Sequence, residues 1–239
     1  ANRPAPPDSR LAETRTVGIR VPGTAAISRF LENEGLVVAG QAMSKLLKAL
    51  RLYAASDLPI LITGESGTGK NLVAQVLHKM SARRDGPFLA QSASAVPAEL
   101  FEADLFGYER GAFTGAEQTR TGFLFSAEGG TFHLEEIGDL GPQVQELLLK
   151  VIEEKTIRPL GATRSRPLDV RFVVSTHRDI DAMVRRAEFR ADLFCRLNVA
   201  RIHLPPLRQM KDAIPQLVAH YWRELTGQTR RFAPAVLAG

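Results

Sequence analysis

Apolar residues along this chain fall into two kinds of pattern. Met43, Leu46, Leu47 and Leu50 recur at i, i+3, i+4 and i+7, which is one face of a helix. Val73, Val76, Leu77 and Met80 repeat that spacing. So do Val144, Leu147, Leu148, Val151 and Ile152, with Pro142 placed at the first turn. Between these stripes stand short, largely apolar runs at 59–63, 88–92, 131–135, 170–175 and 199–204. Such runs suit strands buried on both faces. Strands alternating with helices predict an α/β fold, a parallel sheet with helices on both faces. Pro205 and Pro206 interrupt the pattern. Beyond them Ile214, Leu217, Val218, Tyr221 and Leu225 share a helical face and predict the start of a small C-terminal all-α unit. Residues 1–35 are rich in Pro, Ala and Arg at first and show no sustained period, so a linker or weakly ordered lead-in is expected there. The expected division is 1–35 lead-in, 36–206 α/β unit and 207–239 partial helical unit.

Composition narrows the class. The chain has 239 residues, 44% hydrophobic and 24% charged, which excludes a collagen-like or disordered chain. A single cysteine, Cys195, excludes a disulfide framework and a cysteine-based zinc site. No apolar run approaches the roughly 18 residues of a membrane span, and no charged-then-apolar leader opens the chain. A cytoplasmic protein without a membrane partner is expected. The initial Ala1 in place of Met predicts a fragment or processed product.

Net charge is +5, which invites a nucleic-acid reading. Its location changes that picture. Residues 156–201 hold ten Arg, no Lys and five acids (Asp169, Asp179, Asp181, Glu188, Asp192), so this stretch alone nets +5. Arginine is the residue for bidentate contact with carboxylate and phosphate.

The run at 59–63 leads into Gly64, Glu65, Ser66, Gly67, Thr68, Gly69 and Lys70, and the helical stripe from Val73 follows. This is the phosphate-loop pattern in its strand–loop–helix context. Glycines let backbone N–H groups converge on phosphate oxygens at a helix N-terminus, and Lys70 supplies a point charge. Asn71 stands where a hydroxyl ligand for Mg²⁺ is usual. Farther on, Glu135 and Glu136 close the 131–135 strand. Two carboxylates there suit a magnesium-holding acid followed by a base that orients the attacking water.

With these residues in view, the sequence resembles the central AAA+ ATPase domain of bacterial sigma-54-dependent transcription activators. The resemblance rests on the phosphate loop, ELFEADLFGYERG at 99–111, GAFTGA at 111–116, GGTFHLEEIGDLG at 129–141, DVRFVVSTH at 169–177, FRADLFCRLNVA at 189–200 and LPPLR at 204–208. These segments run in order over about four-fifths of the chain. The resemblance implies a P-loop AAA+ fold in which Gly64–Asn71 bind ATP with Mg²⁺, the metal held by Glu135 through water. Glu136 would activate water. Thr176 and His177 would read the γ-phosphate as sensor I. Arg190 and Arg196 would be arginine fingers reaching a neighbour's site in a ring of six or seven subunits. Gly111, Ala112, Phe113, Thr114, Gly115 and Ala116 would tip a loop that touches sigma-54 in RNA polymerase, with Phe113 and Thr114 as contacts. Residues 156–168 would form a hairpin insert before sensor I. DNA binding would belong to a domain outside this chain.

Four positions depart from the family pattern around one phosphate site: Glu135 for Asp, His177 for Asn, Ser92 for the Asn that restrains the catalytic Glu, and Asn71 for Glu. The leading expectation is a ring ATPase that remodels the sigma-54 polymerase complex. The rival is a hydrolysis-impaired nucleotide-binding partner in such a ring. From the residues alone, Phe113 packed back on its own core and Arg190 and Arg196 paired with Asp192 or Glu188 stay open. His78, His203 and His220 are expected to be packing or surface residues, His133 a satisfied buried histidine, and Cys195 a buried neutral thiol.

Overall fold

The computed structural model describes residues 31–37, 40–94 and 98–228. The expected lead-in over 1–30 and the last part of the expected helical unit, 229–239, lie outside the described residues. Helix α1 (Gly40–Ala54) precedes strand β1 (Ile60–Gly64), helix α2 (Lys70–Lys79) and strand β2 (Phe88–Ser92). Helix α3 (Ala98–Phe106) leads to a short hairpin, β3 (Gly107–Tyr108) and β4 (Arg120–Thr121), and the single turn α4 (Phe123–Ser126). Strand β5 (Thr131–Glu135) and helix α5 (Pro142–Glu154) follow. A second hairpin, β6 (Thr156–Ile157) and β7 (Arg166–Pro167), precedes β8 (Arg171–Thr176). Helices α6 (Ile180–Arg185) and α7 (Ala191–Leu197), strand β9 (Ala200–Leu204) and helix α8 (Ile214–Thr226) complete the order.

The five long strands form one parallel sheet in the order β2-β5-β8-β1-β9. Alternate side chains feed two cores. Leu61, Phe132, Leu134, Phe172 and Val174 pack with α3, α5 and α7 through Phe101, Leu105, Leu148 and Leu193. Ile60, Ile62, Val173 and Ile202 pack on the opposite side with Leu46, Leu50, Val73 and Leu77 of α1 and α2. Neighbouring strand residues thus serve opposite faces, as the pleat requires. Helices on both faces and a wholly parallel sheet match the α/β expectation.

The elements depart from the sequence reading at their ends. The fourth strand starts at Arg171 rather than Val170, and the fifth at Ala200, leaving Val199 exposed. Leu31 is fully buried in the α1–α2 core, and Glu34 pairs with Lys79, so packing begins ahead of the expected boundary at 36. Cys195 is a correction: its thiol is exposed. Helix α7 buries Leu193 and Leu197, and Cys195, midway between them, falls on the opposite face. His78 and His133 are buried, and desolvation pushes both below the ordinary histidine range, His133 to about 4. His78 Nδ1 lies 3.0 Å from Thr131 Oγ1. His133 Nε2 lies 3.1 Å from Ser175 Oγ, while its Nδ1 has no hydrogen-bond partner.

Candidate functional site

In the parallel sheet β8 lies between β5 and β1, so the C-terminal ends of these three strands adjoin. The segment after β1 is the phosphate loop. Gly67 and Gly69 adopt φ of 79° and 88°, a region that favours glycine. Gly64 has a different need: a Cβ there would stand 2.7 Å from the Leu204 carbonyl oxygen. Gly69 caps α2 without a side chain, so the helix N-terminus faces the loop with backbone donors. Lys70 is buried and its Nζ donates to the Gly64 and Glu65 carbonyls at 3.0 and 3.1 Å. Glu65 makes a bidentate pair with Arg208, whose hydrogen bonds and charge hold its carboxyl below the ordinary glutamate value. Ser66 and Asn71 are exposed.

The segment after β5 turns at once. Glu136 takes φ 54° and ψ 50°, a left-handed pose uncommon outside glycine, ahead of the turn Ile137–Asp139. Its Oε1 stands 3.5 Å from Lys70 Nζ. Its Oε2 accepts from the His177 backbone N–H at 3.0 Å and lies 2.6 Å from His177 Nδ1. Burial pulls the Glu136 carboxyl up, but the His177 hydrogen bonds and the Lys70 charge outweigh it and hold it below its ordinary value. Glu135, one residue earlier, is paired in register with Ser92, and its Oε1 is 3.9 Å from His133 Nδ1. Thr176, at the end of β8, is fully buried and its Oγ1 accepts from the Arg178 backbone N–H at 3.0 Å. Arg178 donates to the Gly138 carbonyl and reaches Asp139, tying the end of β8 to the turn after Glu136.

The fold thus brings Lys70, Glu135, Glu136, Thr176 and His177 to one end of the sheet. A cavity of about 780 Å³ opens beside the loop residues Glu65–Gly69, lined by Leu36, Leu72, Leu204, Leu217 and Trp222 among others. An apolar cleft against a phosphate-binding loop suits a flat base attached to phosphates. Spatial pairings in this site escaped the sequence reading. Glu136 with His177 and Glu65 with Arg208 join residues far apart in the chain, and no local pattern marks them.

Arg190 and Arg196 sit elsewhere, on and just before α7. Arg190 pairs with Asp192 at 2.8 Å and Arg196 with Glu153 at 2.7 Å. Arg186 and Arg201 are paired within the chain too, with Glu188 and Asp181, and Arg171 is buried with its Nη2 on the Tyr53 carbonyl. With Arg178 on Asp139, five arginines of the Arg-only stretch thus meet acids of their own chain.

Residues 111–116 lie on the β3–β4 hairpin, outside the five-stranded sheet. The loop closes on itself: Gly111 N–H donates to the Ala116 carbonyl and Ala116 N–H to the Phe113 carbonyl. Gly111 and Gly115 have positive φ and open space around them. Phe113 is 44% exposed and meets Tyr108 edge-on at 5.0 Å, while Thr114 is exposed and Ala116 buried. The expected insert over 156–168 is the β6–β7 hairpin. Its Leu160 exchanges backbone hydrogen bonds with Gly107 and Glu109, and a Cβ on Gly161 would stand 2.8 Å from Ala112 Cβ.

Residues 36–203 match the family model of the sigma-54 interaction domain. This chain belongs to that family. The chain is 41% identical over 224 residues to the transcriptional regulatory protein ZraR of Salmonella typhimurium, covering 94% of this chain and 50% of that protein. It is 43% identical over 202 residues to the transcriptional regulatory protein GlrR of Escherichia coli, covering 84% of this chain and 46% of that one. The solved structure of NtrX from Brucella abortus in complex with ATP superposes with a TM-score of 0.74 at 32% identity, covering 88% of this chain and 47% of that chain. The chain spans about half the length of the curated relatives it matches. No helix among the described residues of the domain is long and apolar enough to cross a membrane.

Proposed function

We propose that this domain is an ATPase motor that binds ATP with Mg²⁺, assembles into a ring of six or seven subunits and remodels sigma-54 RNA polymerase to start transcription. The observation that carries the reading is the convergence of Lys70, Glu136 and His177 past three adjacent strand ends, next to a phosphate loop whose residues Glu65–Gly69 line a cleft. The GAFTGA loop supports the polymerase half of the reading, since a Phe and a Thr at an exposed tip form a contact surface.

Chemically, the loop N–H groups and Lys70 hold the β- and γ-phosphates. Glu136, an ionised carboxylate, orients the attacking water and draws on its proton. Thr176 and His177 stand beside the γ-phosphate. Among the described residues no group of three or more His, Cys, Asp or Glu could cage a metal. That suits Mg²⁺, which keeps several waters and leans on phosphate oxygens. Glu135 and the Asn71 amide would hold it, and it would neutralise charge on the phosphates. Arg190 and Arg196 would act in a neighbour's site, offsetting the charge that spreads over the transferred group.

A specific observation also favours a second reading. Glu136 is engaged by His177 and Lys70, and Glu135 carries one methylene more than the usual Asp, so the domain can serve as a hydrolysis-impaired partner in a ring. Turnover against protein concentration separates the two. The motor shows turnover per subunit that rises with concentration and disappears in Glu136→Ala. ATP binding without turnover at every concentration establishes the impaired partner. For the polymerase contact, Thr114→Ala retains ATPase activity and loses open-complex formation; unchanged transcription removes the loop assignment.

A further inference from the structure

The donors of the phosphate end converge on a side chain of the protein itself. Glu136 Oε1 faces Lys70, and Oε2 takes two contacts from His177, one from the backbone and one from the ring. A carboxylate only accepts, so the ring nitrogen at 2.6 Å carries the proton. Strand β2 is differently occupied: Ser92 Oγ pairs with Ser94 Oγ at 3.0 Å. The restraint on Glu136 therefore comes from β8.

We infer that His177 is a positioning residue that parks Glu136 in the seat of the nucleotide's third phosphate, and that this phosphate frees Glu136 by taking over the donors of His177 and Lys70. The inference rests on the ATPase reading above. Three physical points carry it. The Nδ1–H of His177 serves one acceptor at a time. Two anions sharing the same few ångströms repel, so the carboxylate and the phosphate exclude each other. A diphosphate stops short of that seat and leaves the carboxylate parked. Sensing of the third phosphate and release of the base thus merge in one residue, and no bond is made or broken in the exchange.

Affinities measured on the intact protein test this without turnover, by displacement of a fluorescent ADP analogue with ADP or with slowly hydrolysed ATPγS. Glu136→Ala removes the built-in competitor. It should tighten ATPγS about three- to tenfold, the worth of one partly buried ion pair, and leave ADP within about twofold. In a His177→Ala background the same change should gain under about twofold, because the ring contact that fixes the carboxylate is gone and only the backbone N–H and the 3.5 Å approach to Lys70 are left. His177→Asn keeps an N–H donor and should restore the gain. ADP binding in every variant reports an intact fold. An ATPγS affinity unmoved by Glu136→Ala, or a gain equally large in the His177→Ala background, overturns the inference alone. A wild-type protein that binds neither nucleotide overturns the nucleotide-site reading and the inference with it.

Discussion

Two glycine-rich loops of this domain share composition and differ in everything beneath them. The loop at 64–70 and the loop at 111–116 both carry glycines at positive φ. The first is anchored by β1, buried along its whole length between β8 and β9, and it holds a buried Lys70. The second stands on a two-residue hairpin and presents a half-exposed Phe113. Glycine supplies conformational freedom in both places; the support decides its use. A rigid base turns the freedom inward, toward a fixed anion seat. A slight base turns it outward, where Phe113 and Thr114 stand exposed.

Lys70→Ala should separate the loops most sharply. It removes a buried cation from the phosphate end and should weaken nucleotide binding about a hundredfold or more, with Phe113 untouched. Equal loss on Phe113→Ala, measured by the same titration, would erase the distinction. Acid presses on the same side. His133 lies in β5 beneath the site with its folded value depressed to about 4, so folding favours its neutral form. Stability is fully present above the ordinary histidine value of 6.5 and is lost as pH falls from there toward 4, by about 3 kcal/mol in all. His133→Gln should flatten that slope in denaturant melts between these pH values. At the other loop, Gly161→Ala drives a methyl into Ala112 and strains a positive φ. It should cost about 1–3 kcal/mol, read by thermal melting, while nucleotide affinity stays within about twofold. Phe113→Ala should cost under about 1 kcal/mol of stability, because the ring is half exposed and meets Tyr108 edge-on.

The five strands were legible in the sequence because parallel strands buried on both faces leave continuous apolar runs. Their spatial order was not, since hydrogen bonds between β1 and β8 join residues far apart in the chain. The phosphate loop was legible because its chemistry is local: one strand end, three glycines and a lysine. The His177–Glu136 contact depends on β5 and β8 lying side by side, which no single segment encodes. Cys195 shows another limit. Composition says that a cysteine is usually inside, but helical phase put Leu193 and Leu197 inward and Cys195 on the other face.

Arg190 and Arg196 each rest on a counter-charge of their own chain, Asp192 and Glu153. In the proposed ring, joining a neighbour through these arginines would exchange one partner for another instead of stripping bare cations of water. The net gain of such a swap is small and its barrier low. In such a ring, subunits would meet and part readily, and added salt would shift the balance between the two sets of partners.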